Sequence, residues 1–217
     1  MIPVRLTCFL ILLSLSFISC TKTEKTPEDP TPENEWVSLW DGETFDGWKA
    51  AENPDAFTIE DSAIVINGTR GHLFYEGSVA DANFDDFELK AEVYTYPNSN
   101  SGIFFHTEYQ EEGWPAKGYE AQVNATYDPD PRKTGSLYAV NDVMNTAPHA
   151  DTTWFDYHII VDGKDITFNI DGETVMEFTE PEDLEGTIKL SSGTFALQAH
   201  DPDSKVKFRN IRVKTLN

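Results

Sequence analysis

Cysteine is almost absent from this chain: two occur in 217 residues, Cys8 and Cys20. Cys8 lies inside an apolar run from Leu6 to Ile18, so a processed chain keeps Cys20 alone. No intrachain disulfide can then form, and stability must come from packing. Basic residues are also scarce, with 16 Lys and Arg against 38 Asp and Glu for a net charge of −22. Removing Arg5 with the N-terminal run leaves 15 against 38, net −23. Such a surface repels nucleic acid and anionic lipid, and it suits a neutral ligand or a cation. Much of the acidity serves solubility alone. There is no Gly-x-Gly-x-x-Gly and no strand–helix alternation, which excludes a dinucleotide domain and with it an NAD site. There is also no His-x-x-x-His and no cysteine cluster of the kind that holds zinc.

Arg5, the apolar run and the small residue Ser19 before Cys20 describe a secretory signal, and the run is too short to span a bilayer comfortably. Phe17-Ile18-Ser19-Cys20 is a loose lipobox. The expectation is a lipoprotein signal peptide over 1–19 and a lipid-attached Cys20, with ordinary cleavage nearby or an uncleaved anchor as alternatives. Residues 20–35, rich in Pro, Thr and Glu, read as a solvated tether. The domain then covers 36–217, in a bacterial cell envelope, and meets the membrane through its lipid only.

Past the tether the pattern is almost wholly β. Strand-like stretches include Phe57–Glu60, Ala63–Ile66, Phe87–Tyr94, Gly102–Glu108, Tyr119–Asn124, Phe155–Asp162, Asp165–Ile170, Thr174–Phe178, Gly186–Leu190, Thr194–His200 and Lys205–Lys214. Asn67-Gly68, Asp162-Gly163 and Asp171-Gly172 supply turn signals between them. Many short alternating strands predict an all-β jelly-roll sandwich of two antiparallel sheets. The alternation breaks near Arg209-Asn210, which predicts a bulge. Tyr127 to Thr153 lacks a strand pattern, and a loop of that length is expected to rim a functional face.

Three strands carry a polar stripe. Ile103, Phe105, Tyr119, Ala121, Val123, Phe195, Leu197 and Ala199 form one apolar set. The opposite positions hold His106, Glu120, Gln122, Gln198 and His200. Side chains of a strand alternate between faces, so a sheet with an apolar back would present two imidazoles, a carboxylate and two amides in front. That front suits a polar, uncharged ligand such as a sugar. By the same alternation Lys90, Glu92 and Tyr94 can join it, Glu92 as a substrate contact. A polar outer face is also what any solvated sheet shows.

Several blocks resemble one bacterial family. They are Trp40-Asp41-Gly42 to Gly47-Trp48, Asn100-Ser101-Gly102-Ile103-Phe104-Phe105, Gly118-Tyr119-Glu120-Ala121-Gln122-Val123, Thr134-Gly135-Ser136-Leu137-Tyr138, Leu197-Gln198-Ala199-His200 and Phe208-Arg209-Asn210-Ile211. In order and spacing they are similar to the 3-keto-disaccharide hydrolases, long described as a domain of unknown function. The resemblance covers essentially all of 36–216. It implies a concanavalin-like jelly roll, and an enzyme that cleaves 3-keto-glucosides. Where the family usually has a short turn after the His, this chain has Asp201-Pro202-Asp203-Ser204.

A ketone at C3 acidifies the hydrogen on C2, so a base can start an elimination at C1, and water then adds back. The route needs a base, an acid at the glycosidic oxygen, and a donor or cation at the ketone. Glu120, His200 and His106 are the expected catalytic groups, with the roles left open. Gln122, Gln198 and Tyr138 are the expected sugar contacts. A carboxylate can instead hold a divalent metal, and Asp128-Pro129-Asp130 and Asp201-Pro202-Asp203 are weak calcium candidates. A separate sugar oxidoreductase must supply the ketone. Two other classes stay open. One is a non-catalytic carbohydrate-binding module. The other is a conventional glycanase, which needs two carboxylates about 5 Å apart, whereas Glu120 has Gln122 and Asn124 at its i+2 and i+4 offsets.

Overall fold

Alternating apolar residues build two stacked antiparallel sheets in the computed structural model, which describes residues 35–216. In chain order the strands are β1 (Val37–Ser38), β2 (Trp48–Ala51), β3 (Phe57–Glu60), β4 (Ala63–Ile66), β5 (Gly71–Tyr75), β6 (Phe87–Thr95), β7 (Asn100–Thr107), β8 (Tyr119–Asn124), β9 (Trp154–Asp162), β10 (Asp165–Ile170), β11 (Glu173–Thr179), β12 (Thr194–Ala199) and β13 (Val206–Thr215). One sheet runs β11-β10-β9-β6-β13-β4-β3, with β1 added on β13; the other runs β2-β5-β12-β7-β8. This is the all-β sandwich the sequence predicts. The expected signal, Cys20 and the tether up to residue 34 lie outside the described residues. Among the described residues no helix is long and apolar enough to cross a membrane.

The core sits between the sheets. Strand β6 buries Phe87, Leu89, Ala91 and Val93 and turns the residues between them outward. Phe87 meets Phe105 of β7 at 6.0 Å and Phe195 of β12 at 4.9 Å, ring centre to ring centre, which joins the two layers. Strands β5, β7 and β12 are buried along their whole length. Their second face is therefore covered as well, by loops, and this is why β5 shows no alternation to read.

The register of β13 against β6 shifts between Arg209 and Arg212, with Asn210 at φ +51°, so the predicted bulge is present. Gly186–Leu190, in contrast, forms no strand. Its polar groups are used by loops: Gly118 N donates to Thr187 O at 3.1 Å, and Leu190 N to the Glu180 carboxylate at 2.6 Å. The segment after β8 runs beside that strand without becoming one. Gln122 N donates to Ser136 O at 3.0 Å and Tyr138 N to Glu120 O at 2.9 Å, which covers an otherwise open sheet edge.

Candidate active site

The five-stranded sheet places its outer-face residues in rows. Phe74, Ala196, Phe104 and Glu120 stand opposite one another across β5, β12, β7 and β8. In the next row Gln198 pairs with His72, and Gly102 with Gln122. A cavity of about 510 Å³ opens over the β7–β8–β12 end of these rows. Glu120, Gln122, Gln198, His200 and Tyr138 all line it, so five of the seven predicted catalytic and substrate-binding residues converge.

Glu120 dominates the floor. Its carboxyl crosses over Gly102 and accepts a 3.0 Å hydrogen bond from Gln198 Nε2. A Cβ at position 102 would stand 2.9 Å from Glu120 Cγ, so glycine there is what leaves the path open. Burial pushes the Glu120 pKa up, Gln198 offsets part of this, and the charge of Asp130 adds to the rise, to about 8. This favours the protonated acid at neutral pH. We expect Gly102→Ala to displace this carboxyl and lower kcat/KM at least about tenfold, since small misplacements in such sites are costly. The flexible Glu120 side chain can yield, so the thermal transition should hardly move. Paired kinetics and thermal melts measure both effects.

His200 follows β12 directly. Its Nδ1 lies 2.7 Å from Asp201 Oδ2, which leaves Nε2 for the cavity. The Asp201 carboxylate also accepts from Asp203 N, Ser204 N and Ser204 Oγ at 2.9–3.0 Å. Burial pushes the Asp201 pKa up, but these bonds outweigh it and hold the group below the usual carboxylate range. The longer turn therefore has a role in orienting the imidazole. Tyr127 and Trp114 flank that ring at 5.4 and 5.7 Å.

Three further polar atoms of the floor lack partners. Asn100 Oδ1, Gln122 Nε2 and Gln198 Oε1 are buried without a hydrogen bond, although all three residues line the cavity. An unpaired buried polar group costs about 1–3 kcal/mol, and such an arrangement of two acceptors and a donor matches the hydroxyls of a bound sugar. Tyr138 completes the wall, its ring under the Arg132 guanidinium at 4.9 Å.

Two predicted residues fall elsewhere. His106 takes φ +55°, because β7 bulges where its pairing to β12 slips between Thr194 and Ala196. Gly118 and Gly193 press on its backbone, where a Cβ on either would come within 2.7 Å of the His106 carbonyl carbon. The bulge turns the ring inward onto Phe87 at 5.5 Å. Nδ1 there accepts from Ser191 N at 3.2 Å, and Nε2 lies 2.7 Å from Asp85 O. Burial lowers its pKa, and it acts as a neutral cross-brace. Glu92 points outward as the alternation requires, but from the other sheet. It accepts from Arg209 Nε at 2.6 Å and Asn210 Nδ2 at 2.9 Å, remote from the cavity. Lys90 and Tyr94 share that face, against Trp36 and Trp154.

Other histidines have local duties. His72 lies buried against Trp114 and Phe104, and burial pushes its pKa down to about 4. His149 stacks on Phe155 at 3.7 Å and His158 pairs with Glu88 at 2.8 Å. Among the described residues no three His, Cys, Asp or Glu side chains gather as a metal site. Near the Asp128-Pro129-Asp130 loop, the Lys133 ammonium sits on the carbonyls of Tyr127 and Asp130 at 3.1 and 3.2 Å.

Sequence reading missed Asn100, Trp114, Ile188 and the orienting Asp201. Asn100 lay in a family block and Asp201 in the lengthened turn, and Trp114 stood out as an aromatic between Gly113 and Pro115 in a polar loop.

Comparison with known proteins bears on the fold and the family. Over 83 residues the chain is 34% identical to the 3-keto-disaccharide hydrolase of Bacteroides thetaiotaomicron; the match covers 35% of this chain and 29% of that protein. The structure superposes on a crystal structure of a candidate glycosyl hydrolase from Parabacteroides distasonis with TM-score 0.69 and 22% identity, over 84% and 94% of the two chains. It also superposes on the carbohydrate-binding module CBM66 of Bacillus subtilis, with TM-score 0.56 and 12% identity over 78% and 96%. At these identities the superpositions speak for a shared lectin-like sandwich alone. The model of the 3-keto-alpha-glucoside-1,2-lyase-like domain matches residues 35–214, and the chain belongs to that family.

Proposed function

We propose that this protein cleaves 3-keto-glucosides by eliminating across C1 and C2 and rehydrating the product. Family membership supports glycoside cleavage of the 3-keto-disaccharide hydrolase type. The observation that carries the finer reading is the convergence of Glu120, whose acid form burial favours, and His200 on one cavity whose floor leaves three buried amide atoms unpaired. His200 Nε2 takes the C2 proton, and the C–H electron pair forms the enolate. The enolate collapses to a C1=C2 double bond and expels the glycosidic oxygen, which leaves with the proton of Glu120. Water then adds at C1, and a proton returns to C2. The net change is hydrolysis, with no electrons gained or lost. Asn100, Gln122, Gln198 and Tyr138 hold the sugar hydroxyls.

A conventional retaining mechanism needs a second carboxylate, and Glu120 is the one carboxylate among the described residues lining the cavity. The ketone must come from a separate oxidoreductase acting earlier. The acidic surface supports a neutral substrate, and the N-terminal sequence supports lipid attachment at Cys20 in the cell envelope. Product analysis on methyl glucoside and its 3-oxidised form tests the proposal: methanol should be released from the oxidised sugar only. Release from the unoxidised sugar, or from neither, would refute it.

A further inference from the structure

The cavity has two unlike halves. The floor carries the polar groups, while Trp114, Pro115, Ala139 and Ile188 form an apolar wall. Trp114 and Ile188 are 45% and 48% exposed, two of only four large apolar residues so exposed among those described. Exposed apolar side chains are ordinary singly, but a pair at the mouth of a polar cavity marks a contact surface. The cavity volume also lies in the range that encloses drug-sized ligands, about 300–1,000 Å³, which leaves room beyond one sugar ring.

This wall is held in place before any ligand arrives. Gln110 Nε2 donates to the carbonyls of Glu112 and Trp114 at 2.8 Å, and Gln110 Oε1 accepts from Ala116 N at 3.0 Å. Gly113 N donates to the Glu52 carboxylate at 3.0 Å. The Arg70 guanidinium lies 5.5 Å from the Trp114 ring centre, and the His72 ring stands edge-on at 5.6 Å. Thr187 Oγ1 donates to Ala116 O at 2.6 Å, tying the Ile188 segment to the Trp114 loop. A braced aromatic side chain gives contact area at little cost in entropy.

We infer that this wall is an aglycone subsite, and that the favoured substrates carry an apolar, aromatic-bearing leaving group. The inference rests on the keto-glucoside reading of the floor. A second sugar ring at the mouth can stack one C–H face on Trp114, but its outward hydroxyls lose water against Pro115, Ala139 and Ile188, whose side chains offer them no donor or acceptor. A benzyl-type group instead lays its face on Trp114 and its edge on Ile188, and loses only poorly hydrated surface.

The test compares benzyl and methyl 3-keto-glucosides, chosen because the two leaving alcohols have nearly the same acidity. The full-length protein should show at least about tenfold higher kcat/KM for the benzyl substrate, and Trp114→Ala and Ile188→Ser should each pull that ratio toward one. Binding to a catalytically disabled Glu120→Gln protein, followed by tryptophan fluorescence or calorimetry, should show the same preference. A benzyl-to-methyl ratio of one in both kinetics and binding, or a preference for a 3-keto-disaccharide over the benzyl compound, would overturn the subsite. Absence of turnover with the benzyl preference kept in binding would uphold the subsite and refute the catalytic reading instead.

Discussion

Glu120→Gln should lower kcat on a 3-keto-glucoside by about 10²- to 10⁴-fold, the usual worth of a positioned general acid or base. The amide keeps the shape and can still accept from Gln198, but it has no proton to give. The pH profile separates this role from a structural one. The active form of Glu120 is the protonated form, so wild-type activity should fall as pH rises through about 8, where the buried carboxyl ionises. The residual activity of the variant should lack that limb. A carboxylate acting as base would show the opposite slope, with activity lost as pH falls.

The same substitution should stabilise the protein at alkaline pH. The Glu120 pKa rises from an ordinary 4.5 to about 8 on folding, so the folded state binds the proton more tightly. Stability from this group is full below the lower value, declines as pH rises from about 4.5 toward 8, and is gone above it. The amide never ionises. Melting temperatures of variant and wild type should nearly coincide at pH 5 and diverge by several degrees at pH 9, at about 2–4 °C per kcal/mol for a chain of this size. A site that costs stability while it serves catalysis is a common trade.

His200→Ala should reduce kcat by a similar factor of about 10²- to 10⁴-fold, because the proposed base is removed. Added imidazole should restore part of the rate if a free nitrogen at that place is what the reaction needs. Asp201→Asn should cost less, about 10- to 100-fold, the range for losing a partner that orients an imidazole. Its thermal transition should also drop, since Asp201 closes the turn through Asp203 and Ser204 as well as holding His200. A rate for His200→Ala equal to wild type would remove the base from the account.

Period-two alternation made the fold legible, and it reported correctly which face Glu120, Gln122 and Gln198 occupy. It could not report that β6 belongs to the other sheet, because alternation identifies a face and says nothing about strand neighbours. Glu92 was lost for that reason. His106 was lost to one bulged residue, since a single positive φ reverses the sides of everything read from it. The apolar wall was hidden for a third reason. Trp114 and Ile188 lie in irregular segments, where spacing predicts no direction for a side chain. Family blocks reached Asn100 and Gly102 without stating a purpose. The unpartnered amide oxygen of the first and the missing Cβ of the second became meaningful only beside Glu120.

Proton NMR of methyl 3-keto-glucoside turned over in D2O is the most direct measurement. If cleavage passes through removal of the C2 hydrogen, the released 3-keto-glucose carries deuterium at C2 well above the level exchanged without enzyme. Product that keeps its original hydrogen at C2 would contradict the account.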